Sequence, residues 1–189
     1  MNEEIKDLLA LLKGKDSFKK KWGYDPFDNY AWREVLTFGY LQKWYPTIEK
    51  LSGRYNADGK CAEPLLVHIE NKSTKLKKRK RTNDYNIAST RFQFDMSKKL
   101  DKMMASDAFI FSIFDSDTSE YPIHVLFIHK PENVQTIKDM VIQKQKHFDS
   151  LHEEKKGHVH IDLIYSEIAH LGEKYGDQMP TTNIMEFML

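Results

Sequence analysis

Asp58 and the triplet Glu70-Asn71-Lys72 are the residues of this chain whose types and spacing could do chemistry. The triplet closes the apolar run Leu65-Leu66-Val67-His68-Ile69. Side chains alternate along an extended strand, so Glu70 and Lys72 project from one face. Leu65, Val67, Ile69 and Asn71 then share the other face, where the apolar ones can pack into a core. Two carboxylates converging on one point can hold Mg²⁺, a hard cation that takes oxygen ligands and keeps several waters. A neighbouring ammonium can orient or help deprotonate a water, and it stabilises charge on an attacked phosphate.

Each of these residues also has a plainer reading. Asn56-Ala57-Asp58-Gly59 is good hairpin chemistry, because Asp-Gly supplies the positive φ angles of a type I′ turn. If Asp58 only shapes a turn, Glu63 becomes the substitute first acid, seven residues before Glu70. Glu70 and Lys72 could equally form the solvated end of a strand.

The elements that must position these residues are legible in part. Residues 2–13 form a short amphipathic helix on Ile5, Leu8, Leu9 and Leu12, with Gly14 as its stop. Asp25-Pro26-Phe27-Asp28 is a turn, and a longer helix runs from about 30 to 50, with Pro46 able to kink or end it. Two strands follow within 52–71, the second carrying Glu70. Spacings of four, four and three between Phe92, Met96, Leu100 and Met103 predict a helix over 88–105. Ala108–Phe114 is an apolar strand, Tyr121–His129 another, Pro131 to about Leu151 a helix, and Val159–Tyr165 a last strand. This order predicts an α/β (α+β) protein with a central mixed β-sheet flanked by helices.

A strand ending in Glu-x-Lys-Ser with an acid upstream resembles the PD-(D/E)xK nuclease superfamily, and small type II restriction endonucleases in particular. The resemblance covers roughly residues 50–130. It implies a restriction-endonuclease-like core, with the helix after Glu-x-Lys packed behind the active-site sheet. By position, Asp58 would be the first metal ligand, Glu70 the second and Lys72 the catalytic lysine, with Mg²⁺ as cofactor. The pattern departs from the family in having no proline before Asp58. Some members bring an extra acid from a preceding helix, and Glu34, on the face of Phe38 and Leu41, is the candidate here.

The resemblance further implies that the stretch after the Glu-x-Lys strand enters a DNA groove. Lys75, Lys77, Lys78, Arg79, Lys80 and Arg81 sit almost consecutively there, and such a run repels itself unless phosphates or counterions neutralise it. Asn83, Asn86, Arg91 and Gln93 add groups able to read bases in a major groove. A localisation patch or a solvated loop is the plainer alternative. Double-stranded DNA is thus the expected partner. A homodimer is the simplest reader of a symmetric site, with the helices at 2–13 and 30–50 offering surface for it.

The 189 residues suit one domain: a helical part at about 1–50, a catalytic core at about 51–150, and a C-terminal strand and tail at 151–189. Net charge is only +1, so charge distribution matters more than its total. The single cysteine, Cys61, excludes an intramolecular disulfide framework and fits a reducing compartment. No signal segment opens the chain and no apolar run reaches the length of a membrane span. A soluble, cytoplasmic protein that does not enter membranes is expected.

One competing motif stands outside this account. His158, His160 and Asp162 share a strand face, and His-x-His-x-Asp resembles the opening of the metallo-β-lactamase motif, which binds zinc. That family continues with a histidine where Leu163 stands. Two further alternatives remain open: a repair or recombination nuclease of the same superfamily that recognises DNA structure, and a non-enzymatic nucleic-acid-binding module.

Overall fold

The computed structural model describes residues 29–51, 57–76, 87–115, 121–151 and 160–176. Their order is α1 (Asn29–Leu41), β1 (Ile48–Lys50), β2 (Gly59–Cys61), β3 (Val67–Lys75), β4 (Arg91–Asp95), α2 (Met96–Ala105), β5 (Ala108–Phe114), β6 (His124–Ile128), α3 (Pro131–Leu151), β7 (His160–Ile164), α4 (Tyr165–Ile168) and β8 (Glu173–Tyr175). Six strands form one mixed sheet in the order β1-β2-β3-β5-β6-β8, and β4 pairs with β7 in a separate two-stranded sheet. Helices pack around the larger sheet, so the expected α/β class holds. No helix among the described residues is long and apolar enough to cross a membrane.

β3 and β5 are the centre of the sheet and, among the described residues, its only parallel pair. Parallel neighbours need a crossover, and α2 lies within the connection between them. Every residue of β5 is buried, as a strand covered on both faces requires. On one face Phe38 and Leu41 of α1 pack with Ile48, Ile69, Ile110 and Phe127. On the other, Phe109, Phe111 and Leu126 meet Met103 of α2, Val134 and Ile137 of α3, and Phe92, Phe94 and Leu163 of the small sheet.

Several sequence expectations need correction. The helix placed at 30–50 stops at Leu41; residues 42–47 turn the chain and Ile48–Lys50 becomes a strand. The periodicity across 88–105 joins two elements. Arg91–Asp95 alternates exposed and buried residues and pairs with β7, while only Met96–Ala105 is helical. Phe92 and Met96 therefore share a spacing of four by coincidence. The Glu70 strand runs on to Lys75, so the Glu-x-Lys pair sits in mid-strand instead of closing it. The strand foreseen at 121–129 is confined to His124–Ile128, and α4 and β8 had no counterpart in the sequence reading. The helix at 2–13 and the turn at 25–28 lie outside the described residues.

Asp58-Gly59 is not the centre of a hairpin turn. Gly59 opens β2, paired with Lys50 on one side and Ile69 on the other, and its φ lies outside the left-handed region that a type I′ turn needs. Its requirement is close approach: a Cβ there would lie 2.1 Å from Phe38 Cε1 and 2.7 Å from the Glu49 carbonyl oxygen. The absence of a side chain lets α1 press onto β2.

The small sheet and α4 are tied to the main sheet by a buried polar pair. Tyr165 Oη and His124 Nε2 are 2.6 Å apart, and burial lowers the His124 pKa to about 4, with Lys174 acting in the same direction. Between pH 6.5 and 4 the unfolded chain therefore binds a proton that the folded chain refuses. The stability this neutral histidine provides is complete above pH 6.5 and is lost as the pH falls towards 4, by up to about 3 kcal/mol. Urea denaturation across this range should show that loss, and His124→Gln should flatten it. An unchanged slope in His124→Gln would show that other groups set the acid sensitivity.

Candidate active site

The antiparallel register Gly59↔Ile69 makes Asp58 and Glu70 the next facing pair, on the side of the sheet away from α1. Asp58 is fixed there by its backbone, whose N–H donates to the Ile69 carbonyl at 3.0 Å. Its carboxylate folds over the start of the triplet: Oδ2 accepts the Asn71 backbone N–H at 2.9 Å, and Oδ1 accepts from Lys102 Nζ. Glu70 has no solvent exposure. Lys72 Nζ donates to Glu70 Oε1 at 2.5 Å, and Lys102 Nζ lies 3.1 Å from Glu70 Oε2. The Lys72 ammonium also stands 5.0 Å from the centre of the Phe94 ring, whose π face favours a cation.

Two carboxylates and two ammonium groups thus form one closed, electrically balanced cluster. Burial by itself would raise the Asp58 pKa, but the Lys102 charge and hydrogen bond, the Asn71 amide and Lys72 outweigh it and hold Asp58 below the usual carboxylate range. The same contacts act in reverse on Lys102: burial would lower its pKa, and Asp58 and Glu70 raise it. Both groups are charged at neutral pH.

No family model matches the chain, and comparison with curated proteins finds no match.

The residues singled out by sequence fall into three groups. Asp58, Glu70 and Lys72 come together. Glu34 stays on α1, where its carboxylate pairs with Lys50 Nζ at 3.1 Å. Burial lowers the Lys50 pKa to about 8; Asp58 opposes this and Lys102 adds to it, which sets Lys50 within electrostatic reach of the cluster. Glu63 is exposed beyond the other end of the β2–β3 pairing, after Cys61↔Val67, where its carbonyl accepts from Thr47 Oγ1 at 2.7 Å. It is not positioned to replace Asp58.

Of the DNA-binding candidates, Lys75 and Arg91 are exposed on a cleft of about 480 Å³ that they line with Thr74, Gln93 and Asp162. Thr74 follows Lys72 on the same face of β3, so this cleft begins one step along the strand from the cluster. Lys77, Lys78, Arg79, Lys80, Arg81, Asn83 and Asn86 lie outside the described residues, as does His158. His160 is exposed, and Asp162 Oδ2 lies 3.5 Å from Arg91 Nη1. No group of three His, Cys, Asp or Glu side chains suited to a metal occurs among the described residues.

Sequence reasoning missed Lys102 and Lys50. Lys102 comes from the last turn of α2, 44 residues beyond Asp58 and off the apolar stripe of its helix. Only the crossover between β3 and β5 brings it back to the triplet.

The residues that could hold Mg²⁺ are Asp58 and Glu70, whose carboxylates both reach the point where the Lys102 ammonium stands. With two protein ligands, such an ion keeps positions for water and phosphate oxygens.

The cluster's energetics give a stability test. Glu70→Leu breaks the ion pair of the Lys72 ammonium, which has 5% side-chain exposure, a loss of about 3–5 kcal/mol for a broken buried pair. Adding Lys72→Met removes that charge, and most of the loss should return in urea denaturation. A double variant no more stable than Glu70→Leu would show that Glu70 and Lys72 do not act as a pair.

Proposed function

We propose that this protein is a Mg²⁺-dependent endonuclease that hydrolyses phosphodiester bonds of double-stranded DNA, of the type II restriction class. The observation that carries the reading is the meeting of the Asp58 and Glu70 carboxylates on the Lys102 ammonium, with Lys72 on the other oxygen of Glu70. These are the three residues that the PD-(D/E)xK resemblance assigns by position. α2 follows the Glu-x-Lys strand in the chain as the resemblance implies, but it packs on the Glu70 face of the sheet and not behind it.

Asp58 and Glu70 would hold Mg²⁺, which when bound stabilises the charge that builds on an attacked phosphate. Glu70 also holds the Lys72 ammonium in place, so that its proton is presented beside the carboxylate pair. Lys72 then stabilises negative charge on the phosphate and orients an attacking water. Lys75 and Arg91, on the cleft that continues from Thr74, supply phosphate contacts that keep a duplex in register. A symmetric dimer would present two such sites to a symmetric sequence.

Incubation with supercoiled plasmid tests this directly. Discrete fragments are expected with Mg²⁺ and none with Ca²⁺. Asp58→Asn and the charge-balanced Glu70→Gln/Lys72→Met double should abolish cleavage while staying folded, whereas Glu63→Gln should cut normally. Lys75→Ala/Arg91→Ala should weaken binding of every duplex in Ca²⁺ and flatten its salt dependence by about 0.9 in log–log slope per lost phosphate contact. Cleavage only at branched or nicked DNA would replace restriction with repair. Salt-sensitive binding without any cleavage would leave a non-enzymatic module, and an active Asp58→Asn would remove Asp58 from the site.

A further inference from the structure

Adding a divalent cation to the two-carboxylate point poses an electrostatic problem. Asp58 and Glu70 are already neutralised by Lys72 and Lys102, so a bound Mg²⁺ would leave a poorly solvated cluster with two excess positive charges. It would also have to occupy the point where the Lys102 ammonium stands, in contact with both carboxylates. One ammonium has to leave.

The two lysines are not equally placed to do so. Lys72 is anchored in the middle of the central strand, with its side chain 5% exposed and its ammonium against Phe94. Lys102 projects from the last turn of α2 with its side chain 21% exposed, and so has a path towards solvent. We infer that Lys102 is a displaceable internal counterion, which holds the Asp58–Glu70 pair closed in the metal-free protein and is exchanged for a divalent cation. This inference rests on the metal-dependent nuclease reading and adds a control element to it. An incoming phosphodiester supplies the negative charge that the released ammonium and the cation both need, so metal and DNA binding become mutually reinforcing.

The exchange predicts that removing the Lys102 charge makes metal binding easier. Mn²⁺ alone is the probe, with the EPR signal of the free ion reporting the bound fraction for the full chain without DNA. Lys102→Met and Lys102→Gln should each bind Mn²⁺ roughly tenfold or more tightly than the wild-type protein, because a cation within contact distance no longer opposes it. Adding Glu70→Gln to either variant should abolish that gain. If both variants unfold without metal, Mn²⁺ should refold them, and failure to do so overturns the proposal. Equal or weaker binding than wild type would also overturn it, while leaving a metal site in place. Absence of Mn²⁺ binding in folded wild-type and variant proteins alike would instead remove the metal-dependent reading, and the counterion role with it.

Discussion

Glu70 sits without solvent exposure in the middle of the central strand, and an ionised carboxyl in that position requires cations held against it. Much of the architecture answers that requirement. The length of β3 carries Lys72 two residues further along the same face. The crossover from β3 to the parallel β5 returns α2 so that Lys102 reaches the second Glu70 oxygen. The β2–β3 register delivers Asp58 to the same ammonium, and Gly59, with no side chain to hold Phe38 away, lets α1 back that register.

Stability alone gives little reason for such a cluster. Buried ion pairs rarely stabilise a fold more than apolar residues of the same volume, because the desolvation of each charge offsets much of the attraction. The residues flanking the cluster show what this position would otherwise accept: Ile69 lies before Glu70 on β3, and Phe109 and Phe111 face Glu70 and Lys72 from β5. Four charged side chains are set into an aromatic and aliphatic surrounding, and the chemistry proposed above would use them. Under the proposed counterion exchange, their closed, balanced arrangement would be the resting form of a site that opens to a more highly charged ligand.

How much of this the sequence disclosed depends on the range of the interaction. The Glu70–Lys72 pair follows from strand periodicity, and the strand at Ala108–Phe114 and the helix at Pro131–Leu151 from local composition. Asp58 was visible as an acid at the right distance, although its neighbour Gly59 suggested a turn; the glycine answers instead to Phe38, 21 positions earlier in the chain. The helix over 88–105 was half right, because Phe92 and Phe94 obey the strand period while Met96, Leu100 and Met103 obey the helical one. Lys102 was illegible. It lies about 100° around α2 from Met103 and has the local signature of a solvated lysine. Only tertiary pairing distinguishes it, as it does Lys50 beside Glu34.

The central claim is that Asp58 and Glu70 together form a divalent-cation site beside Lys72. Crystals grown with Mn²⁺ and measured for anomalous scattering would test it most directly. An anomalous peak at ordinary coordination distance from one oxygen of each carboxylate, with Lys72 still on Glu70 and Lys102 withdrawn, is the predicted result. A map without a peak between them, and both ammonium groups still paired to the carboxylates at saturating Mn²⁺, would contradict it.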